Sequence, residues 1–96
     1  MIEDLDPVIH APKRLAAMAV LTRADATFPF LRDHLGVSDS DLSKQMATLE
    51  RAGYVLIAKA GRGRGSVTSY RLTREGRAAY ARHRRALAAI LEQAGG

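Results

Sequence analysis

The feature that most constrains the fold of this 96-residue chain is a change in the spacing of its apolar residues at Gly53. Before Gly53, apolar side chains recur every three or four residues, which is typical of amphipathic helices. After it, residues 54–58 and 67–72 are rich in strand-forming residues, and the second of these runs alternates in character. Helical spacing returns after Thr73. The pattern therefore predicts three helices, two strands and a fourth helix, in that order.

Capping residues set the expected ends of these helices. Thr27 and Ser38 are suited to begin the second and third helices, because their hydroxyl groups can accept hydrogen bonds from free amides. Gly36 and Gly53 are suited to end them. Two short helices joined by a glycine-containing turn describe a helix-turn-helix over about residues 28–52. The expected helix bounds are about 12–22, 28–35, 39–52 and 73–93.

The third helix carries a candidate recognition surface. Leu42, Met46 and Leu49 form its inward stripe at helical spacing. The opposite face carries Ser40, Lys44, Ala47, Thr48 and Arg51, with Ser43 at its margin. Short polar and basic side chains suit close approach to base edges and phosphates in a major groove. Because recognition helices usually insert their N-terminal half, Ser40, Ser43 and Lys44 are stronger candidates than Arg51.

The same face has a second interpretation, as the solvated side of an amphipathic helix. Asp39 and Asp41 stand near the end that would enter the groove. Their charges would repel phosphate unless they serve to cap the helix. The sequence alone leaves both interpretations open.

Residues 59–66 form a basic, glycine-rich segment between the two strands. It contains three glycines and three basic side chains, among them Arg62 and Arg64. Arginine suits phosphate groups and A·T-rich minor grooves, and glycine lets a hairpin tip follow a nucleic-acid backbone. We therefore expect Arg62 and Arg64 to contact DNA. The alternative is a flexible hairpin tip that is basic without having a partner.

Charge is unevenly distributed along the chain. Residues 59–85 contain nine Lys or Arg and one Glu, a net charge of +8, whereas residues 1–58 carry −2. A basic half on a small domain favours a polyanionic partner, and nucleic acid before others. A solvated basic face without a partner is the alternative. RNA is a weaker option than duplex DNA, because few aromatic side chains are available for base stacking.

Composition disfavours several function classes. The chain has no cysteine, so it has no disulfide framework, thiolate zinc site or cysteine nucleophile. His10, His34 and His83 lack partners at metal-ligand spacing, and we expect surface or boundary residues there, with no metal or cofactor. No catalytic grouping can be assembled, so we do not expect an enzyme. The absence of a membrane-length apolar run and of a basic leader favours the cytoplasm.

The final helix combines a basic first half with an apolar second half. Tyr80, Leu87 and Leu91 lie at intervals of seven and four residues, with Ile90 beside them, and form one seam. A small domain with an uncovered seam is commonly completed by a two-fold mate. We therefore expect these four residues to form a homodimer interface. The alternative is that the seam packs on the first helix of the same chain.

Three motifs, taken in order, resemble a known family. They are residues 5–15 (LDPVIHAPKRL), residues 42–55 (LSKQM followed by LERAGYV) and residues 70–77 (YRLTREGR). Over about residues 5–85, the chain is similar to the small stand-alone winged-helix members of the MarR/ArsR-like class of bacterial and archaeal regulators. The cysteines with which one branch of that class senses metals are missing here.

The resemblance implies a mostly α-helical winged helix-turn-helix with a small β-hairpin, as one domain over residues 1–96. It has a three-helix core, a two-stranded wing over about residues 54–72 and a C-terminal helix. The residues implied to contact duplex DNA are Ser40, Ser43, Lys44, Thr48, Arg62 and Arg64. The implied function is sequence-specific transcriptional regulation by a repressor-type homodimer. The alternative is a winged-helix protein-interaction module, and the operator and any effector do not follow from the sequence.

Overall fold

Apart from one additional strand of two residues, the helices and strands follow one another in the order that the sequence predicts. The computed structural model describes residues 1–95, with the side chain of Arg64 outside the described part. Its elements are α1 (Pro12–Leu21), β1 (Ala26–Thr27), α2 (Phe28–Leu35), α3 (Asp39–Arg51), β2 (Val55–Ala60), β3 (Val67–Leu72) and α4 (Arg74–Gly95). Short 3-10 turns occupy Ile2–Asp4 and Gly63–Gly65. Each helix begins and ends within two residues of its expected bounds.

Hydroxyl caps begin α2, α3 and α4. Thr27, Ser38 and Thr73 each accept a hydrogen bond from the amide three residues later, over 2.8–3.3 Å. The caps predicted at Thr27 and Ser38 are thereby confirmed. A cap of this kind satisfies an amide that has no partner within the helix, and typically stabilises the helix by about 1 kcal/mol. The caps also fix the length of the turn between α2 and α3.

Within residues 1–95, the hairpin belongs to a sheet of three strands. β2 and β3 pair antiparallel, with Val55 opposite Leu72 and Ala60 opposite Val67. β1 pairs with the other edge of β3, so the strand order is β1-β3-β2. β1 is not predicted from the sequence, because two residues are too few to show an alternation of polar and apolar side chains. The wing therefore grows from a sheet in which β3 is central.

The core lies where α1, α2 and α3 meet the sheet. Its largest fully buried side chains are Ile9, Met18, Leu21, Leu31, Leu42, Met46, Leu49, His83 and Val55. The predicted inward stripe of α3 is confirmed, because all three of its side chains are among them. Full burial of an aliphatic side chain of this size contributes about 1.5–3 kcal/mol relative to exposure. Because α3 is held along this stripe, its opposite face is turned to solvent.

α4 begins in direct contact with the start of β2. The Thr73 amide donates to the Tyr54 carbonyl over 3.0 Å, and the Thr73 hydroxyl donates to the Gly53 carbonyl over 2.6 Å. A Cβ atom on Gly76 would lie 2.0 Å from the Tyr54 carbonyl oxygen, so only glycine fits at this position. This junction fixes the direction in which α4 leaves the sheet.

α4 extends beyond the rest of the fold. Its 22 residues correspond to a length of about 33 Å. The described chain measures 53 Å along its longest axis, against 26 and 21 Å along the other two. The N-terminal segment Ile2–Asp4 packs along α4. None of the helices in the described residues is both long enough and apolar enough to cross a membrane.

Candidate nucleic-acid interface

The outer face of α3 presents short polar and basic side chains to solvent. Ser40, Ser43 and Lys44 are exposed, and Thr48 is partly exposed. At 3.6 residues per turn, Ser40, Lys44 and Thr48 lie on the side opposite the buried stripe, with Ser43 at the margin of that side. The structure therefore brings the sequence-predicted residues of α3 onto one surface, and three of them belong to the N-terminal half of the helix.

Thr48 is tied to its own helix. Its hydroxyl donates to the Lys44 carbonyl over 3.2 Å and accepts a hydrogen bond from Arg51 Nη2, also over 3.2 Å. Both contacts use the polar atom that would otherwise meet a base edge. Thr48 thus holds Arg51 against the helix, and the hydrogen-bonding groups that remain open on this surface include those of Ser43 and Lys44.

The acidic residues at the start of α3 are paired with basic side chains. Arg32 Nη1 lies 3.1 Å from Asp39 Oδ1. Asp41 forms an ion pair with Lys13 and accepts a hydrogen bond from Gln45 Nε2 over 3.0 Å. The hydrogen bond from Gln45 and the charge of Lys13 hold the pKa of Asp41 below its ordinary value. These pairings reduce the repulsion of phosphate that the sequence leads one to expect.

Two basic residues of α1 position α3 from behind. Besides the pair between Lys13 and Asp41, Arg14 donates from Nη1 to Gln45 Oε1 over 2.6 Å. Arg14 also donates from Nε to the Val8 carbonyl over 2.6 Å. This role of Lys13 and Arg14 has no signal in the sequence, because nothing in their local spacing identifies a partner about 30 positions away.

The wing tip is a closed turn. The Gly65 and Ser66 amides donate to the carbonyls of Arg62 and Gly63 over 3.1 and 3.2 Å. Gly61 has a φ of +92°, and a Cβ atom there would lie 2.6 Å from the Gly65 carbonyl oxygen. Glycine is therefore required to close this turn. From the sequence, the glycines are expected to make the tip flexible, whereas in the structure Gly61 closes it.

Positive charge extends along the wing to its tip. Arg62 and Lys59 are exposed. The side chain of Arg64 lies outside the described residues, so its contact with DNA stays a prediction. Residues 55–72 contain no acidic side chain, so the electrostatic potential around the hairpin favours an anionic partner.

A partly buried polar network links the wing to α4 and to the N-terminal segment. His83 is 1% exposed, so the prediction of a surface or boundary residue is wrong for this histidine. Its Nδ1 accepts the Asp6 amide over 3.1 Å, and its Nε2 lies 3.3 Å from His10 Nδ1. Tyr54 donates from its hydroxyl to the Asp6 carboxylate over 2.5 Å. This network leaves no local pattern in the sequence, because its members lie up to 77 positions apart.

The hydrogen bonds of this network define the protonation of its members. Because Nδ1 of His83 accepts an amide hydrogen, the ring proton lies on Nε2 and is donated to His10. Burial lowers the pKa of His83 from its ordinary value of 6.5, and the facing His10 lowers it further. The hydrogen bond to Asp6, together with burial, raises the pKa of Tyr54 to about 12. Within residues 1–95, no three His, Asp or Glu side chains are arranged to hold a metal ion.

The four side chains that the sequence assigns to a dimer interface differ in exposure. Tyr80 packs against the core of its own chain. Leu87 and Ile90 are partly buried, whereas Leu91 is 62% exposed. The second half of α4 therefore retains an apolar surface, although Tyr80 is largely used within the chain.

Residues 13–91 match the profile of a protein family described as winged helix DNA-binding domain. The matched region includes α2, α3, the β2–β3 hairpin and most of α4. No curated protein sequence matches the chain.

The chain is also similar to solved structures, among them transcriptional regulators. A transcriptional regulator homologue from Pyrococcus horikoshii OT3 is 26% identical, with a TM-score of 0.82 over 90% of this chain and 86% of that one. Rv0081 of M. tuberculosis is 25% identical, with a TM-score of 0.75 over 93% and 87%. A MarR-family regulator from Enterococcus faecalis V583 is 22% identical, with a TM-score of 0.72 over 92% and 76%. At 22% identity, the last likeness concerns the fold alone.

Proposed function

Because this chain belongs to the winged helix DNA-binding domain family, we propose that it is a homodimeric transcriptional regulator that binds duplex DNA. Residues 1–96 act as one winged-helix unit, in the cytoplasm, where its DNA is found. Its action is repression, because a protein bound across a promoter excludes other proteins from that DNA. It performs no chemistry on the DNA.

The observation that most supports this proposal is the electrostatic arrangement at the start of α3. Ser40, Ser43 and Lys44 are exposed there, while Asp39 and Asp41 are each paired with a basic side chain. A merely solvated helix face does not require such pairing. A face that approaches phosphates does, because an unpaired carboxylate beside a phosphate is repelled.

In the proposed complex, α3 lies in the major groove and the wing lies on the flanking backbone. Ser40, Ser43 and Lys44 contact base edges, and Thr48 supports them and offers a small surface to the groove. Arg62 and Arg64 contact phosphates or an adjacent minor groove. The α3 contacts determine the sequence that is preferred, while the wing contacts add affinity for any duplex.

The proposed dimer forms through α4, with Leu87, Ile90 and Leu91 at its centre and Tyr80 at its edge. Two recognition helices related by a two-fold axis would enter successive major grooves about 34 Å apart, which is one helical turn of DNA. The preferred operator is then a near-palindrome with half-sites about one turn apart.

A salt-dependent binding assay tests the proposal. The intact protein is titrated against the duplex upstream of its own gene and against a random duplex of equal length, at several salt concentrations. We expect the logarithm of the affinity to fall linearly with the logarithm of the salt concentration, by about one unit of slope for each phosphate contacted. We also expect tighter binding to the upstream duplex. Absence of binding to either duplex at low salt would contradict the proposal and favour a protein-interaction module.

A further inference from the structure

An apolar groove of about 790 Å³ lies between α1 and α2. Small or apolar side chains line most of it, namely Ala16, Ala19, Val20, Ala24, Phe30 and Leu35. Phe30 is 54% exposed and stacks on His34, with 5.5 Å between the ring centroids. An aromatic ring left in solvent beside a trough of small side chains is typical of an interaction surface.

The end of α4 has an apolar surface of the kind that such a groove accepts. Leu87, Ile90 and Leu91 are neighbours on the helix, because they are separated by three and four positions. Within residues 86–95, Glu92 is the single charged side chain. Since α4 extends beyond the rest of the fold, its end can reach a second molecule.

Area indicates that the α4 seam alone is too small for a stable dimer. A stable interface typically buries about 800 Å² on each partner. The seam offers three aliphatic side chains, and Leu87 and Ile90 are already partly buried within their own chain. Seam-to-seam packing would also leave Phe30 and the groove in solvent. An interface that includes both surfaces is larger and covers both.

The charges at the groove also fit the end of α4. Arg23 and Asp25 both line the groove. Asp25 lies 3.6 Å from Arg71 and is paired with it, whereas Arg23 takes part in no ion pair within the described residues. The positive charge of Arg23 is therefore available to a carboxylate, and Glu92 supplies one beside the apolar seam.

We propose that the end of α4 of one copy lies in the groove between α1 and α2 of a second copy. In return, the end of α4 of the second copy lies in the same groove of the first copy. The inference rests on the homodimer of the proposed function and defines its geometry. The exchange is symmetric, so both copies use the same two surfaces, as a two-fold dimer requires.

Cysteine trapping tests this geometry, because the chain has no cysteine of its own. Two variants, Ala19→Cys in the groove and Leu91→Cys on α4, are mixed under reducing conditions, allowed to exchange subunits and then oxidised. A disulfide forms only where two Cα atoms come within about 7 Å. We expect a covalent dimer in the mixture and none in either variant alone. Ala88→Cys, at an exposed position on another face of α4, replaces Leu91→Cys in the control mixture and should give none.

Each other outcome overturns the inference. A covalent dimer of Leu91→Cys alone would mean that the two seams pack on each other. Absence of cross-linking in a protein that sediments as a dimer would mean that another surface forms the interface. Sedimentation of the chain as a monomer would rule out the dimer itself. Binding of that monomer to a single half-site duplex would then show that the DNA-binding proposal still holds.

A second variant tests the groove without chemical trapping. Ala19→Trp fills the groove at a position that is already partly exposed, so the fold should tolerate it. We expect its circular dichroism to match that of the original chain and its dimer dissociation constant to rise at least about tenfold. Unchanged dimerisation with tryptophan in the groove would contradict the proposal.

Discussion

His10 and His83 face each other with 3.3 Å between Nδ1 and Nε2. The other ring nitrogen of His83 accepts the Asp6 amide, so a second ring proton on His83 would point at an N–H group and find no acceptor. A buried cation with an N–H group that has no acceptor is strongly disfavoured. The neutral form of His83 is therefore the form that belongs to the folded chain.

We expect the free energy of unfolding to decrease as the pH falls below about 6.5, the ordinary pKa of histidine. The pKa of His83 is lowered in the folded chain, so the unfolded chain binds a proton in a range where the folded chain does not. Stability is complete above that range and declines within it, by at most about 1.4 kcal/mol per pH unit for one proton. Urea unfolding at a series of pH values measures this slope.

His83→Gln removes the titrating ring and should flatten this dependence, whereas His34→Gln, at an exposed site, should leave it unchanged. Asp41, whose pKa is also lowered, contributes stability that is lost only as the pH falls below its ordinary value of 3.8. The effect of Asp41 on stability therefore occurs at a lower pH than the effect of His83. An equal slope in the original chain and in His83→Gln would contradict the role assigned to His83.

Gly76→Ala should destabilise the protein although alanine is the better helix former. The added Cβ atom would lie 2.0 Å from the Tyr54 carbonyl oxygen, so α4 or β2 must move. We expect a loss of about 1–3 kcal/mol, as for other overpacked sites. Gly95→Ala is the matched control, because its Cβ atom would meet no neighbour within 4 Å. Thermal unfolding compares the two, and equal melting temperatures would show that the junction is looser than described.

Arg62→Ala, alone and combined with Arg64→Ala, should weaken binding to preferred and random duplexes about equally. Each phosphate contact that is lost should make the log-log salt slope shallower by about one unit. Arg85→Ala removes the same charge from an exposed position on α4 and should have less effect on the slope. Fluorescence anisotropy at several salt concentrations provides the measurement. A wing variant that binds as tightly as the original chain at low salt would exclude contact at the tip.

Lys44→Ala and Ser43→Ala should each reduce the free energy of binding to the preferred duplex by about 1–3 kcal/mol. The loss on random DNA should be much smaller, because base-edge contacts distinguish one sequence from another. Arg51→Ala serves as the comparison on the same helix. It removes a charge from the C-terminal half, where Arg51 is held by Thr48, and should reduce discrimination less. If Lys44→Ala weakens binding to both duplexes equally, Lys44 contacts the phosphate backbone and does not read bases.

The fold follows largely from local signals in the sequence. Capping hydroxyls at Thr27, Ser38 and Thr73 act within one helical turn, so they can be recognised from neighbouring residues. Strand β1 cannot be recognised in this way. Ala26 and Thr27 become a strand because Tyr70 and Ser69 pair with them, and that partnership is made by the tertiary fold.

The candidate site also has some features that follow from local sequence and others that depend on the tertiary fold. The exposed face of α3 follows from helical spacing, which is local. The pairing of Asp41 with Lys13 and the burial of His83 depend on contacts between residues that are distant in sequence. A histidine within a helix of alanines and arginines has no local sign of burial, since its hydrogen-bond partners Asp6 and His10 belong to the distant N-terminal segment.

α1 contacts α3 through Lys13 and Arg14 on one side and lines the groove with Ala16 and Ala19 on another. A change in what occupies the groove can therefore alter the tilt of α3. If a second copy binds there and shifts α1, the affinity for the operator changes with it. Thermodynamic linkage is reciprocal, so an operator that is bound more tightly by the dimer must strengthen the dimer by the same factor.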